Sequence, residues 1–130
     1  MRLLLDTHVL IWWFRDNPRL GPRPRALIAD GATEVLFSCV SCWEATIKTR
    51  KGKEIEMPGS QIWHNAAAEK FLPLGIAPKH IEALERLSRV PGHGDPFDHL
   101  LLAQAKAESA VIMTNDVKMA QYGVPCIGVR

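Results

Sequence analysis

Apolar positions in this chain fall in short blocks that alternate between two spacings. Leu3-Leu4-Leu5 is an unbroken run closed by Asp6, the pattern of a short strand buried on both faces. From Thr7 to Phe14 the spacing changes, and Val9, Trp12 and Trp13 share one face of a helix. Asn17-Pro18 and Gly21-Pro22 punctuate the chain, and Arg25 to Ala29 reads as a second short helix. Glu34 to Ser38, centred on Val35, Leu36 and Phe37, is the second strand. Ser41 to Arg50 follows as a helix that stops near Gly52, and Ser60 to Phe71 as another, with Ile62, Trp63, Ala66 and Ala67 as its stripe.

Leu72 to Ile76 is a short strand whose Pro73 demands an edge position or the strand's start. Pro78 opens a helix with Ile81, Leu84 and Leu87 on its buried face, and Pro91 to Gly94 is a loop. Pro96 to Ser109 is the clearest helix, built on Leu100, Leu101, Ala103, Ala105 and Ala107. Val111 to Met113 is a strand, Val117 to Tyr122 a short helix and Cys126 to Val129 a last strand. Strands that alternate with helices imply a parallel sheet covered on both faces, so the fold class is α/β.

The composition narrows the reading. With 130 residues the chain suits one domain, and 47% hydrophobic against 23% charged residues excludes a disordered chain. The formal net charge of +2 does not by itself mark a nucleic-acid binder. The apolar start is too short for a signal peptide core or a membrane span, which makes the cytoplasm the expected address. Cys39, Cys42 and Cys126 are then expected as reduced thiols.

The acids carry the chemistry through their position. Asp6 closes the first strand, Glu44 lies in the first turn of the helix after the second strand, Asp95 and Asp98 open the long helix, and Asp116 follows the Val111 strand. In a parallel sheet the carboxyl ends of strands and the amino ends of helices gather along one edge, where open α/β sheets place their ligands. Local structure offers each acid another duty. Ser41-Cys-Trp-Glu44 fits a capping box, Asp95-Pro96 an N-cap, Asp98 the helix dipole and Asn115-Asp116 a further cap. Caps alone, however, leave the convergence of all these acids to accident. Two carboxylates about 4 Å apart repel by roughly 4 kcal/mol at an effective dielectric near 20, so such a cluster calls for a cation. Oxygen donors suit Mg²⁺ or Mn²⁺ better than zinc.

Leu3-Leu-Leu-Asp-Thr-His8, Ser41-Cys-Trp-Glu44, His93-Gly-Asp-Pro-Phe-Asp98 followed by Leu101-Leu-Ala-Gln-Ala105, and Met113-Thr-Asn-Asp116 occur in an order that resembles the PIN domain family, in particular its VapC-type toxins. The resemblance spans nearly the whole chain. It implies a single three-layer α/β/α domain over residues 1–130 with a central parallel sheet of four or five strands. It implies Asp6, Glu44, Asp98 and Asp116 as a catalytic, metal-holding quartet with Asp95 beside them, and a metal-dependent endoribonuclease that pairs with a protein antitoxin and forms homodimers. His99 stands where many relatives carry arginine, so a phosphate contact there would depend on its protonation.

In this reading water attacks an RNA phosphodiester in line. Asp6 is the central ligand, Asp98 and Asp116 complete the coordination, and Glu44 orients the water. Lys48, Arg50, Lys51 and Lys53, and separately Arg15, Arg19, Arg23 and Arg25, form basic runs suited to backbone phosphates, although such runs are commonly no more than solvated faces. Rival readings are a thiol redox protein built on Cys39-Val-Ser-Cys42, a zinc site from His93, Asp95 and His99, and a non-catalytic RNA- or protein-binding module. Trp12, Trp13, Trp43 and Trp63 are expected in the core or at a dimer interface before any role in base stacking.

Overall fold

A run of leucines is stable as a strand only where both of its faces are covered. In the computed structural model, which describes residues 1–53 and 57–130, Arg2–Leu5 forms β1, and Leu3, Leu4 and Leu5 are each fully buried. The chain continues through α1 (Thr7–Phe14), α2 (Pro22–Ala29), β2 (Glu34–Ser38), α3 (Cys39–Arg50), α4 (Gly59–Ala68), β3 (Leu72–Leu74), α5 (Pro78–Glu85), α6 (Pro96–Ala107), β4 (Val111–Met113), a 3₁₀ helix (Val117–Tyr122) and β5 (Cys126–Ile127). All five strands are parallel in the order β3-β2-β1-β4-β5, with Leu4 of β1 level with Leu36 on one side and Ile112 on the other.

The alternation of a strand divides β1 between two cores. Leu3 and Leu5 pack with Val9 and Leu10 of α1, Ile28 of α2, and Ile62 and Ala66 of α4. Leu4 packs on the other face with Leu101, Leu102 and Ala105 of α6, and with Met119 and Tyr122. Helices thus cover both faces, giving three α/β/α layers. Truncating Leu4 to alanine would cost about 2–5 kcal/mol, as for other buried leucines.

Local chemistry moves several boundaries from those expected. Pro22 takes the first turn of α2, so that helix begins three residues before Arg25. Ser38 rather than Ser41 caps α3, accepting from the Val40 N–H at 3.0 Å, and the helix therefore starts at Cys39. Glu44 consequently lies in the second turn, and the expected capping box does not form. α4 ends at Ala68, short of Phe71, because Lys70 turns left-handed at φ 61° and the Phe71 N–H bonds back to Ala66 O. Pro73 sits in β3, an edge strand, where its missing N–H is tolerated.

Packing between helices accounts for other departures. Gly59 opens α4 against α3, and a Cβ there would stand 2.1 Å from Cys42 O, so only glycine permits this approach. On α5 the buried residue is His80, whereas Ile81 is 43% exposed. Trp12 is in the core, but Trp43 and Trp63 are partly exposed and meet Phe97 and Phe37 edge-on at 5.0 and 4.8 Å. Among the described residues no helix is long and apolar enough to cross a membrane.

Candidate metal centre

Because every strand runs the same way, the turns that leave β1, β2 and β4 open on one edge of the sheet. Asp6, Glu44, Asp95, Asp98 and Asp116 all line a single cavity of about 450 Å³ at that edge. Asp6 ends β1 and serves as the N-cap of α1, where the Thr7 N–H donates to Oδ1 at 2.7 Å and the Thr114 hydroxyl to Oδ2 at 2.6 Å. Glu44 reaches the cavity from α3. Its Oε1 accepts from Thr7 Oγ1 at 2.7 Å, and its Oε2 pairs with Lys48 at 2.6 Å, one turn further along. Asp95 caps α6 through Phe97 N and Asp98 N, and Asp116 caps the 3₁₀ helix through Lys118 N. Capping and convergence are therefore compatible, since one oxygen closes the helix while the residue still lines the cavity.

The charge in the cavity is poorly balanced. Burial, reinforced by Asp6, Asp95 and Glu44, pushes Asp98 up to about 7. Burial also raises Asp6, against hydrogen bonds from Thr114 and Thr7 that pull the other way. Burial works against the charge on Lys48, but the bond to Glu44 and the neighbouring Asp95 and Asp98 outweigh it and raise its pKa. A pocket that tends to protonate its own carboxylates has room for a divalent cation, and a donor set dominated by carboxylate oxygen fits a hard ion.

His93 joins this cluster in a way the sequence reading did not foresee. Its Nε2 lies 3.2 Å from Asp98 Oδ2 and 3.0 Å from Asp116 Oδ2, while Nδ1 lies 2.6 Å from the Tyr122 hydroxyl. One ligand atom each from His93, Asp98 and Asp116 falls within a 4.8 Å span. His93 precedes Asp98 by five residues in the turn before α6, and that short separation was the available signal. The trio differs from the zinc set of His93, Asp95 and His99 considered above. His99 does not line the acid cavity: its Nε2 donates to His93 O at 2.9 Å and lies 3.0 Å from Tyr122 Oη.

The basic runs are divided by their contacts. Lys48 lines the acid cavity, and Lys48, Lys51 and Lys53 line an adjoining one of about 370 Å³ with Phe97, whereas Arg50 lines neither. In the second run Arg25 is committed to structure, with its guanidinium on Leu20 O, Asn17 O and Asp16. All three cysteines are free, and burial together with Cys39 pushes Cys42 up to about 11.

Comparison with known proteins adds to this geometry. The PIN domain family profile matches residues 3–125. Ribonuclease VapC22 of Mycobacterium tuberculosis is 28% identical over 125 residues, covering 95% of this chain and 93% of that protein. Among solved structures, VapBC2 from Rickettsia felis bound to a DNA fragment from their promoter superposes with a TM-score of 0.74 at 16% identity, covering 100% of both chains. VapBC-1 from nontypeable Haemophilus influenzae gives a TM-score of 0.68 at 18% identity over 98% of each chain. At these identities the solved structures speak to the fold.

Proposed function

The chain belongs to the PIN domain family, and we propose that it is a metal-dependent endoribonuclease, the toxin of a toxin–antitoxin pair, acting in the cytoplasm. The observation that carries this reading is the single cavity lined by five carboxylates, one of them driven to about 7 by burial and its acidic neighbours. Asp6, Asp98 and Asp116 would hold Mg²⁺ or Mn²⁺, with Glu44 and Asp95 completing the acidic wall. When bound, such an ion lowers the pKa of water and stabilises charge on the phosphate oxygens.

The chain's own residues prepare the site. Thr7 and Thr114 fix the Asp6 carboxylate from both sides, so that it cannot rotate away from the cavity. Thr7 and Lys48 together hold Glu44, facing where an attacking water would be oriented. His93, itself anchored on Tyr122, sets Asp98 and Asp116 against one another. The Lys48, Lys51 and Lys53 edge supplies cations for RNA phosphates beyond the scissile one.

An antitoxin protein and a second copy of the chain are the proposed partners. The complexes named above support the first, and the exposed Trp43 gives the second an apolar contact to cover. The test is a divalent-ion titration followed by RNA cleavage, with EDTA as control. Mg²⁺ or Mn²⁺ should raise the melting temperature, by about 2.7 kcal/mol of stabilisation at a hundredfold excess over the Kd, and should switch on cleavage that EDTA reverses. RNA binding with no cleavage under any divalent ion would leave a non-catalytic module instead.

A further inference from the structure

Beside the acid cavity lies a second one, of about 700 Å³, within the roughly 300–1,000 Å³ typical of sites for small organic groups. The two share Trp12, Arg19 and Asn115 as a common wall. Pro18, Pro22 and Val129 give the second cavity apolar sides. We propose that this cavity is a nucleotide subsite, in which Arg19 binds the RNA phosphate next to the scissile one and Asn115 hydrogen-bonds the attached base. The proposal rests on the ribonuclease reading and names how that site holds its substrate.

Two observations point to Arg19, and a third to Asn115. Of the lysine and arginine side chains lining the acid cavity, Lys48 is paired with Glu44, whereas Arg19 has no carboxylate partner among the described residues. Its guanidinium lies 5.8 Å from the centre of the Trp12 ring, which steers the head group toward the shared wall without neutralising it. A planar guanidinium with free donors is suited to a phosphate. Asn115 likewise has no side-chain hydrogen bond among those of the described residues, and it offers both a donor and an acceptor to a base edge.

The loop that carries Arg19 is built to hold it. Asn17 Oδ1 accepts from the Arg19 N–H at 2.9 Å, and Leu20 is buried. Arg25 grips Asn17 O at 2.6 Å and Leu20 O at 2.8 Å. On the other side the Gly21 N–H donates to Val129 O at 2.7 Å, and a Cβ at Gly21 would press to 3.2 Å on that same oxygen. The backbone of the loop is thus tied both to α2 and to the segment after β5, which leaves the Arg19 side chain as the part free to meet a ligand.

The experiment measures binding of a labelled single-stranded RNA oligonucleotide of mixed sequence. It uses Ca²⁺ as the divalent ion, several salt concentrations, and a gel to check that the RNA stays intact. Arg19→Ala should weaken binding about tenfold and lower the salt slope by about one, with an unchanged melting temperature. Arg19→Lys should restore the slope and part of the affinity. Asn115→Ala should weaken binding by a factor that varies with base composition. Wild-type affinity and slope in Arg19→Ala would overturn the subsite and leave that face to a protein partner, even if the enzyme cleaves RNA normally. Binding with the expected Arg19 dependence, but with no cleavage in Mg²⁺ or Mn²⁺, would overturn the nuclease reading alone. No RNA binding by the wild type would overturn both.

Discussion

Two clusters in this molecule each join a histidine to acidic side chains, one acid in the first and two in the second, and they have opposite electrostatics. Glu108, at the end of α6, meets Lys79 at 2.6 Å, His80 at 2.9 Å and Arg2 at 3.6 Å. Lys79, then His80, hold its carboxyl down at about 2. The fully buried His80 accepts from the Ala77 N–H at 2.9 Å on Nδ1, which leaves its Nε2–H for Glu108. Nearby, Gln104 accepts from Ser38 Oγ and donates to Gly75 O, so this group of polar contacts spans four secondary-structure elements, β1, β2, α5 and α6, and a loop with its donors matched. At the acid cavity the acids instead outnumber their cations, and burial together with these acids drives Asp98 up to about 7. Balanced charge supports the fold, whereas unbalanced charge marks a place left for something else to bind.

Substitutions should separate the two clusters. Asp98→Asn or Asp6→Asn should reduce RNA cleavage at least about a hundredfold, as loss of groups around a metal does, while the metal-free Asp98→Asn protein melts no lower than wild type. Cleavage rates and melting curves on the same samples check both halves. Loss of stability in metal-free Asp98→Asn would mean that this acid is structural, like Glu108. His80→Ala should do the reverse, costing about 2–3 kcal/mol in urea unfolding through an empty space and unpaired neighbours, with divalent-ion affinity unchanged.

A smaller effect should appear with pH. The folded pKa of Glu108, about 2, lies below its ordinary 4.5, so its contribution is complete above pH 4.5 and is lost as pH falls toward 2. Stability curves of wild type and Glu108→Gln should therefore converge through that window, and a constant gap between them would show that the carboxylate's charge is not what stabilises this corner. Smallest of all, Lys70→Gly should raise stability by about 0.5 kcal/mol, because glycine relieves the left-handed conformation but adds freedom to the unfolded chain. A differential melt of that variant would measure it.

The parts of this fold legible in the sequence were those written in local chemistry. The run Leu3 to Leu5 has one reading as a strand, and Asp95-Pro96 has one as a helix start. Long-range choices were not legible. Nothing in the spacing of α5 says that His80, and not Ile81, turns inward, because that depends on Glu108 arriving from α6. Helix ends at Asp16, Lys70 and Ser109 also gave no signal, since these residues take the left-handed turn usually left to glycine. Four acids and their order were visible as motifs. The placement of His93 between Asp98 and Asp116 was not, because it depends on the turn before α6 folding back toward the residues after β4.

The bond between Thr114 and Asp6 joins residues 108 positions apart. During synthesis from the amino end, Asp6 and Glu44 emerge well before β4, which pairs with β1 and carries Thr114 beyond it. A nascent chain paused before β4 has neither Thr114 to orient Asp6 nor Asp116 to face it. The acid cavity, assembled from such distant parts of the chain, stays incomplete until β4 and the residues after it have been made.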